Sequence, residues 1–339
     1  MARHGRIAGA LNPGWRRPLS CGKPPMSFLL LAALQLQDPS PAPAPDRRAL
    51  LVGIGRYART AQAADWEDLA GPAPDVALMR DILIQRFGFP AENVRVLLDE
   101  EATHAGILRA FEQHLILPAG TATEAVFYFS GHGSRARDLA AVASGEMRAE
   151  DSTLVCWDSA RSSADPVPDL TDDELHSVLT VLAQRTHRIT VITDCCHAGG
   201  NTRGARRARS VQPAEPLKPE DLAQLWLADV PYLEDGDARR PLSQDWIHIA
   251  ACAWSEDACE EEFGDAESAS TMHGVFTWHL AAALRAARPG DSYAQVVART
   301  AAPVQSQRIH FTGDGQRRLF AAQFAPPAEC VEAVLSADG

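Results

Sequence analysis

The amino-acid sequence predicts an α/β fold, a mostly parallel central sheet covered by helices on both faces. Three observations carry this. From Arg47 onward, short runs rich in β-branched and aromatic residues alternate with longer segments of helical spacing. The short runs are apolar almost throughout, as strands covered on both faces are. Two of them, AVFYFSG (125–131) and ITVITDC (189–195), lead into glycine, histidine and cysteine, and sites in parallel sheets form beyond the carboxyl ends of the strands.

Each element has its own warrant. ALLVGIG (49–55) is the first strand. DVALMRDILIQRF (75–87) carries apolar residues at helical spacing and halts at Gly88 and Pro90. VRVLLD (94–99) is the second strand. HAGILRAFEQHL (104–115) is the next helix, with Thr103 placed to cap it. AVFYFSG is the third strand, and Thr171 with Glu174 forms a capping box for a helix through Ala183. ITVITDC is the fourth strand and WIHIAAC (246–252) the fifth. HGVFTWHLAAALRAA (273–287) is a long amphipathic helix, and a shorter one starts near Ser292. Residues 133–152 read as a loop over the site. Residues 200–245 read as a long polar loop, a length that in a compact domain implies function or disorder. The acidic run SEDACEEEFGDAE (255–267) reads as a solvated loop whose oxygens could meet a hard cation.

The chain has 339 residues, 46% of them hydrophobic, enough for a sizeable core. We divide it into a leader and proline-rich linker (1–46), one domain (47–325) and a tail (326–339). The leader carries Arg3, Arg6, Arg16, Arg17 and Lys23 with no acid, then SFLLLAALQL (27–36). It reads as a signal peptide, as an untidy leader, or as sequence ahead of a true start at Met26, with the cytoplasm favoured over export. The apolar stretch is too short to span a bilayer as a helix. A net charge of −12 argues against nucleic acid and anionic membranes as partners. Seven cysteines, an odd number in a long chain, suit a reduced thiol enzyme better than a disulfide scaffold. Cys156, Cys252 and Cys259 lie beside apolar runs and read as core. A monomer is expected.

The strings SGHG (130–133) and DCCHAG (194–199) resemble the histidine and cysteine signatures of the metacaspases and related bacterial caspase-like peptidases, clan CD, family C14. The resemblance extends over residues 47–325. It takes in ALLVGIGRY (49–57), Asp75 after LAGPAP, and HGVFTWHL (273–280). His132 and Cys196 lie 64 residues apart, near the roughly 50 of caspases. The resemblance implies a caspase-like three-layer sandwich and a cysteine endopeptidase that cuts protein or peptide substrates after arginine or lysine. It makes Cys196 the nucleophile and His132 its base, with Cys195 where a small polar residue usually stands. The N–H groups of Gly133 and Cys196 would hold the oxyanion, and Asp75, Ser130 and Asp194 would line the pocket for the basic side chain.

The chemistry agrees with those assignments. A thiol near pKa 8.5 is mostly protonated at neutral pH and needs a base. Two carboxylates around one buried pocket favour a cationic side chain. Asp75 also fits a helix N-cap, and Asp194 fits a strand-end residue bonding local amides. Adjacent residues in DCCH cannot easily aim several ligands at one zinc, so no metal is expected. Several metacaspases are activated by calcium through an acid a few residues after the nucleophile. The corresponding stretch here, GGNTRGARR, is basic, which argues against calcium dependence. Arg203, Arg206, Arg207 and Arg209 follow Cys196 closely and are candidate self-cleavage positions. The competing readings are a catalytically weak caspase-like scaffold or signalling module, and a different thiol hydrolase of the same topology.

Overall fold

The computed structural model describes residues 46–58, 66–137, 150–160, 167, 169–196, 207–212, 246–253, 256–264 and 270–321, and all that follows concerns these. The leader, the tail and most of the long polar loop lie outside them. Strand β1 is Arg47–Gly53, β2 Val94–Leu98, β3 Glu124–Ser130, β7 Ile189–Asp194, β9 Trp246–Ala250 and β12 His310–Thr312. They form a six-stranded sheet in the order β12-β9-β7-β3-β1-β2. Every pairing is parallel except that of β12, which runs antiparallel to β9. The predicted mostly parallel sheet and its five predicted strands are borne out.

Period-two alternation divides the apolar side chains between two faces. Leu50, Val52, Phe127, Phe129 and Val191 join one core cluster, while Ala49, Leu51, Val126, Tyr128 and Ile192 join the other. The first face is covered by α2 (His104–Ala110), continued by a π-helical turn over Phe111–Ile116, and by α3 (Asp172–Ala183). The second is covered by α1 (Pro72–Gln85), α4 (Val275–Arg285) and α5 (Tyr293–Ala301). The result is a three-layer sandwich. Burying one aliphatic or aromatic side chain contributes about 1.5–3 kcal/mol, so β3, buried at all seven positions, anchors the middle of the sheet.

The caps follow local chemistry. Thr103 Oγ1 accepts the Gly106 N–H at 3.0 Å, and Thr171 with Glu174 closes the predicted capping box. Ser292 and Gln295 form a second one at α5. Helix α1 departs from expectation. It starts at Pro72, with Gly71 at the N-cap and no capping side chain. Proline suits a first turn, where its missing N–H costs nothing. Asp75 is therefore not the cap; it lies within the helix.

Two expected loops are strands. Within the supposed loop 133–152, β4 (Gly133–Arg137) pairs antiparallel with β5 (Glu150–Leu154), and β5 with β6 (Leu170–Thr171). Within the acidic run, Cys259–Phe263 is β10, flanked by β8 (Arg207–Ala208) and β11 (Thr271–Gly274). Because 271–274 is strand, α4 begins two residues later than predicted. Among the described residues, no helix is long and apolar enough to cross a membrane.

Candidate functional site

Strands β3 and β7 are neighbours, with Ser130 opposite Asp194. Two residues beyond that pair, the chain delivers His132 from one strand and Cys196 from the other, so both emerge at the same end of the sheet. Both are buried. His132 Nε2 lies 2.8 Å from the Glu67 carbonyl oxygen. A carbonyl only accepts, so Nε2 carries the proton and Nδ1 keeps its lone pair. Nδ1 has no hydrogen-bond partner. The His132 backbone N–H donates to the Tyr57 hydroxyl at 2.7 Å, which itself donates to the Ile54 carbonyl at 3.2 Å. The Tyr57 ring lies 5.2 Å from the imidazole, tilted by 31°. Burial lowers the imidazole to about 4, opposed by the Glu67 carbonyl. Burial likewise pushes the Cys196 thiol up to about 12. At neutral pH the site therefore holds a neutral imidazole and a protonated thiol.

Beside this pair lies a charged pocket, filled by Arg209. Its side chain is fully buried. Nη2 is 2.8 Å from Asp75 Oδ2 and 3.5 Å from Glu260 Oε2, while Nη1 is 3.2 Å from Asp194 Oδ2. Nη1 also donates to Ser130 Oγ at 2.8 Å, and the Ser130 hydroxyl donates to Asp75 Oδ2 at 2.9 Å. Three carboxylates and one hydroxyl thus converge on one guanidinium.

Each carboxylate is tied down from behind. Asp194 Oδ2 accepts from the Thr277 hydroxyl at 2.6 Å and from its N–H at 3.1 Å. Asp75 Oδ1 meets His273 Nδ1 at 2.9 Å and the Gly274 N–H at 3.1 Å. Glu260 accepts from the N–H groups of Ala70 and Gly71 at 3.1 and 3.0 Å. Gly274 has to be glycine, since a Cβ there would overlap the Asp194 carboxylate and the Arg209 guanidinium. Burial raises Asp194 to about 6, with Arg209 pulling down and Asp75 pushing up. Burial works against the charge of Arg209, but Asp194, Asp75 and Glu260 more than offset it and hold the guanidinium above its usual pKa.

The main chain of Arg209 is held just as specifically. Its carbonyl oxygen accepts the Gly133 N–H at 2.9 Å and the Cys196 N–H at 3.2 Å, the two donors expected to form the oxyanion site. Its own N–H donates to the Ala258 carbonyl at 2.9 Å. Upstream, Ala208 and Arg207 pair with Cys259 and Glu260 of β10. The Ser210 hydroxyl lies beside the Cys196 sulfur. Segment 207–212 therefore runs from β8 past the ends of β3 and β7, held by main-chain hydrogen bonds on the way.

All of the pocket and dyad positions read from the sequence meet here: Cys196, His132, Gly133, Asp75, Ser130 and Asp194. Of the four candidate self-cleavage arginines, Arg209 is in the pocket. Arg207 is exposed and donates to the Asp68 carbonyl at 3.2 Å, while Arg203 and Arg206 lie outside the described residues. The sequence reading missed Glu260, lost in an acidic run that looked solvated, and missed Tyr57, Thr277 and the Glu67 carbonyl. A cue for Glu260 was the apolar pair Ala258–Cys259 directly before it, which marks a strand entering the core.

The acidic run thus turns a carboxylate to the pocket. Among the described residues, the group of acids close enough to share a cation is Asp151, Asp172 and Asp173, whose oxygens lie within 4.8 Å of one another. Carboxylate oxygens suit a hard cation. Asp172 and Asp173 also stand in the first turn of α3, where the helix dipole favours negative charge without any ion. None of the described cysteines is in a disulfide.

The chain as a whole is similar to known proteins. Residues 46–322 match the caspase domain of peptidase C14. Metacaspase-1 of Ajellomyces capsulatus is 26% identical over 286 residues, 74% of this chain and 74% of that protein. Metacaspase-1 of Eremothecium gossypii is 31% identical over 161 residues, 45% of this chain and 32% of that one. Metacaspase-7 of Arabidopsis thaliana is 31% identical over 159 residues, 45% and 35% respectively. The matched stretch spans only about a third of the latter two relatives. A crystal structure of a Geobacter sulfurreducens protein superposes with a TM-score of 0.55 at 20% identity, covering 82% of this chain and 99% of that one. The likeness is one of fold.

Proposed function

The chain belongs to the caspase-domain family of peptidases, C14, and from that premise we propose that it is a cysteine endopeptidase that cuts after arginine or lysine and processes itself after Arg209. The observation that carries this is the placement of Arg209. Its guanidinium sits among three carboxylates while its carbonyl oxygen accepts from the Gly133 and Cys196 N–H groups. A pocket built for an acidic or neutral side chain would not surround a cation with surplus negative charge.

The reaction then follows from the groups present. His132 Nδ1 takes the Cys196 thiol proton as the sulfur attacks the arginine carbonyl carbon. The carbonyl π pair moves onto oxygen, between the two N–H donors. As the C–N bond breaks, the imidazolium gives its proton to the leaving amine, leaving a thioester. Water, deprotonated by His132, attacks that thioester. The carboxylic acid is released, and the sulfur recovers its proton. The Glu67 carbonyl fixes the imidazole tautomer, and Tyr57 fixes the backbone that carries it. No metal enters any step.

Arginine should be preferred over lysine. Its planar fork puts one nitrogen on Asp75 and the other on Asp194, where an ammonium would have to serve both carboxylates from a single nitrogen. Fluorogenic peptides ending in Arg, Lys, Asp or Ala test this directly. We expect hydrolysis in the order Arg, then Lys, with Asp and Ala at background, and equally so in calcium and in chelator. Cleavage after Asp would overturn the pocket assignment, and no cleavage at all would favour a scaffold. Activity only with calcium would overturn the metal-free reading and point to Asp151, Asp172 and Asp173.

Tyr57→Phe leaves the His132 N–H buried without its acceptor. Losing such a partner costs about 1–3 kcal/mol, and if it falls on the catalytic geometry kcat should drop about 5–150-fold. KM should change little, because Tyr57 acts through His132. A rise in KM alone would count against that role.

A further inference from the structure

The groove does not stop at the bond after Arg209. The Val211 N–H donates to the Gly133 carbonyl at 3.1 Å, and Gly133 and Ser210 bridge in parallel register. The Ser134 hydroxyl, fully buried, reaches the carbonyl oxygens of Val211 and Gln212, each at 3.1 Å. The valine side chain is only 6% exposed and joins the core cluster that includes Tyr57, Leu154 and Val155. Gly133 therefore grips both sides of the bond: its N–H holds the Arg209 carbonyl and its carbonyl holds the Val211 N–H.

From this geometry we infer that the enzyme also reads the second residue after the cut, selecting an apolar side chain that carries a free N–H. The inference rests on the arginine-specific peptidase reading and narrows it. The substrate class becomes arginine followed, at the second residue after the cut, by an apolar side chain, and not every exposed arginine. Gly133 and Ser134 hold the main chain there, and the apolar surroundings choose the side chain. A charged side chain at that position would lose its hydration in an apolar setting with no partner. An N-methylated residue would leave the Gly133 carbonyl unpaired in a buried groove.

The test uses the full-length protein and changes only the substrate. Internally quenched peptides centred on Ala-Arg-Ser-Val are compared with versions in which valine is replaced by aspartate, glycine or N-methylvaline. A coumarin peptide ending at arginine runs alongside and has no residue in the downstream groove. We expect kcat/KM to fall about tenfold or more for aspartate, since an unpaired charge is buried. About fivefold is expected for N-methylvaline, the loss of one hydrogen bond, with glycine in between. If the coumarin peptide is cut and the four quenched peptides agree within about twofold, the downstream reading is overturned and the arginine specificity stands. If no substrate is cut, the peptidase reading fails and takes this inference with it.

Discussion

Purified full-length chain is expected to split into two fragments between Arg209 and Ser210, while the Cys196→Ala chain stays whole under the same conditions. The pocket contacts and both carbonyl donors already hold Arg209 in place, with the Ser210 hydroxyl beside the Cys196 sulfur, so the step needs no encounter with a separate substrate. Removing a catalytic nucleophile costs roughly 10⁴-fold or more, enough to leave the alanine chain intact over days. Arg209→Lys should cut more slowly, and Arg209→Ala not at this position. The pH dependence has a definite sign. Asp194, lifted to about 6 by burial, is ionised above that pH and neutral below it. Its hold on Arg209 therefore weakens as pH falls through about 6. His132, lowered to about 4 by burial, stays neutral and able to accept a proton across the same range. Self-cleavage should slow between pH 7 and pH 5, with the thiol-to-imidazole transfer still available. Intact mass across a pH series checks both points. Identical fragments from the Cys196→Ala chain, or a rate that climbs as pH falls, would sink the self-processing mechanism.

Much of this site was legible in the sequence because its chemistry sits where strands end. SGHG and DCCHAG follow apolar runs whose burial on both faces makes them unambiguous strands, and parallel neighbours must end on the same side. Asp75 was legible as a pocket candidate, though as a residue its spacing allowed two places. Only the start of α1 at Pro72 removes it from the N-cap. Glu260 was hidden by composition. In EEEF the first acid is buried, the second half-buried and Glu262 exposed, and a run of like charges gives no phase from which to tell them apart. Tyr57 and the Glu67 carbonyl were hidden for another reason. They act through contacts 75 and 65 residues away in the chain, and a backbone carbonyl leaves no trace in residue identity. The strands β4 and β5 were missed because Gly133 and Ser134 look like turn formers. Their place in an edge hairpin depends on pairing with Ser152–Leu154, which no local propensity encodes.

The acid pocket should prove far more sensitive to charge than to shape. Asp194→Asn keeps an oxygen to accept from the Thr277 hydroxyl and N–H, so the strand end stays tethered while one negative charge is lost. Breaking a buried ion pair from one side costs about 3–5 kcal/mol, which converts to a fall in kcat/KM for arginine peptides of about 10²–10⁴-fold. Asp75→Asn should give a loss of similar size, with some added cost from its His273 and Gly274 contacts. Glu260→Gln, facing the guanidinium at 3.5 Å, should lose about tenfold, nearer one ordinary charged contact. Because Asp75 and Asp194 share a single guanidinium, their losses should not add. The double variant should fall short of the product of the singles, with a coupling of about 0.5–3 kcal/mol. Steady-state kinetics on one arginine peptide across the four proteins decides it, with circular dichroism melts to confirm folding. If the two losses multiply cleanly, the carboxylates act on different things, and a pocket that divides one cation between them is the wrong picture.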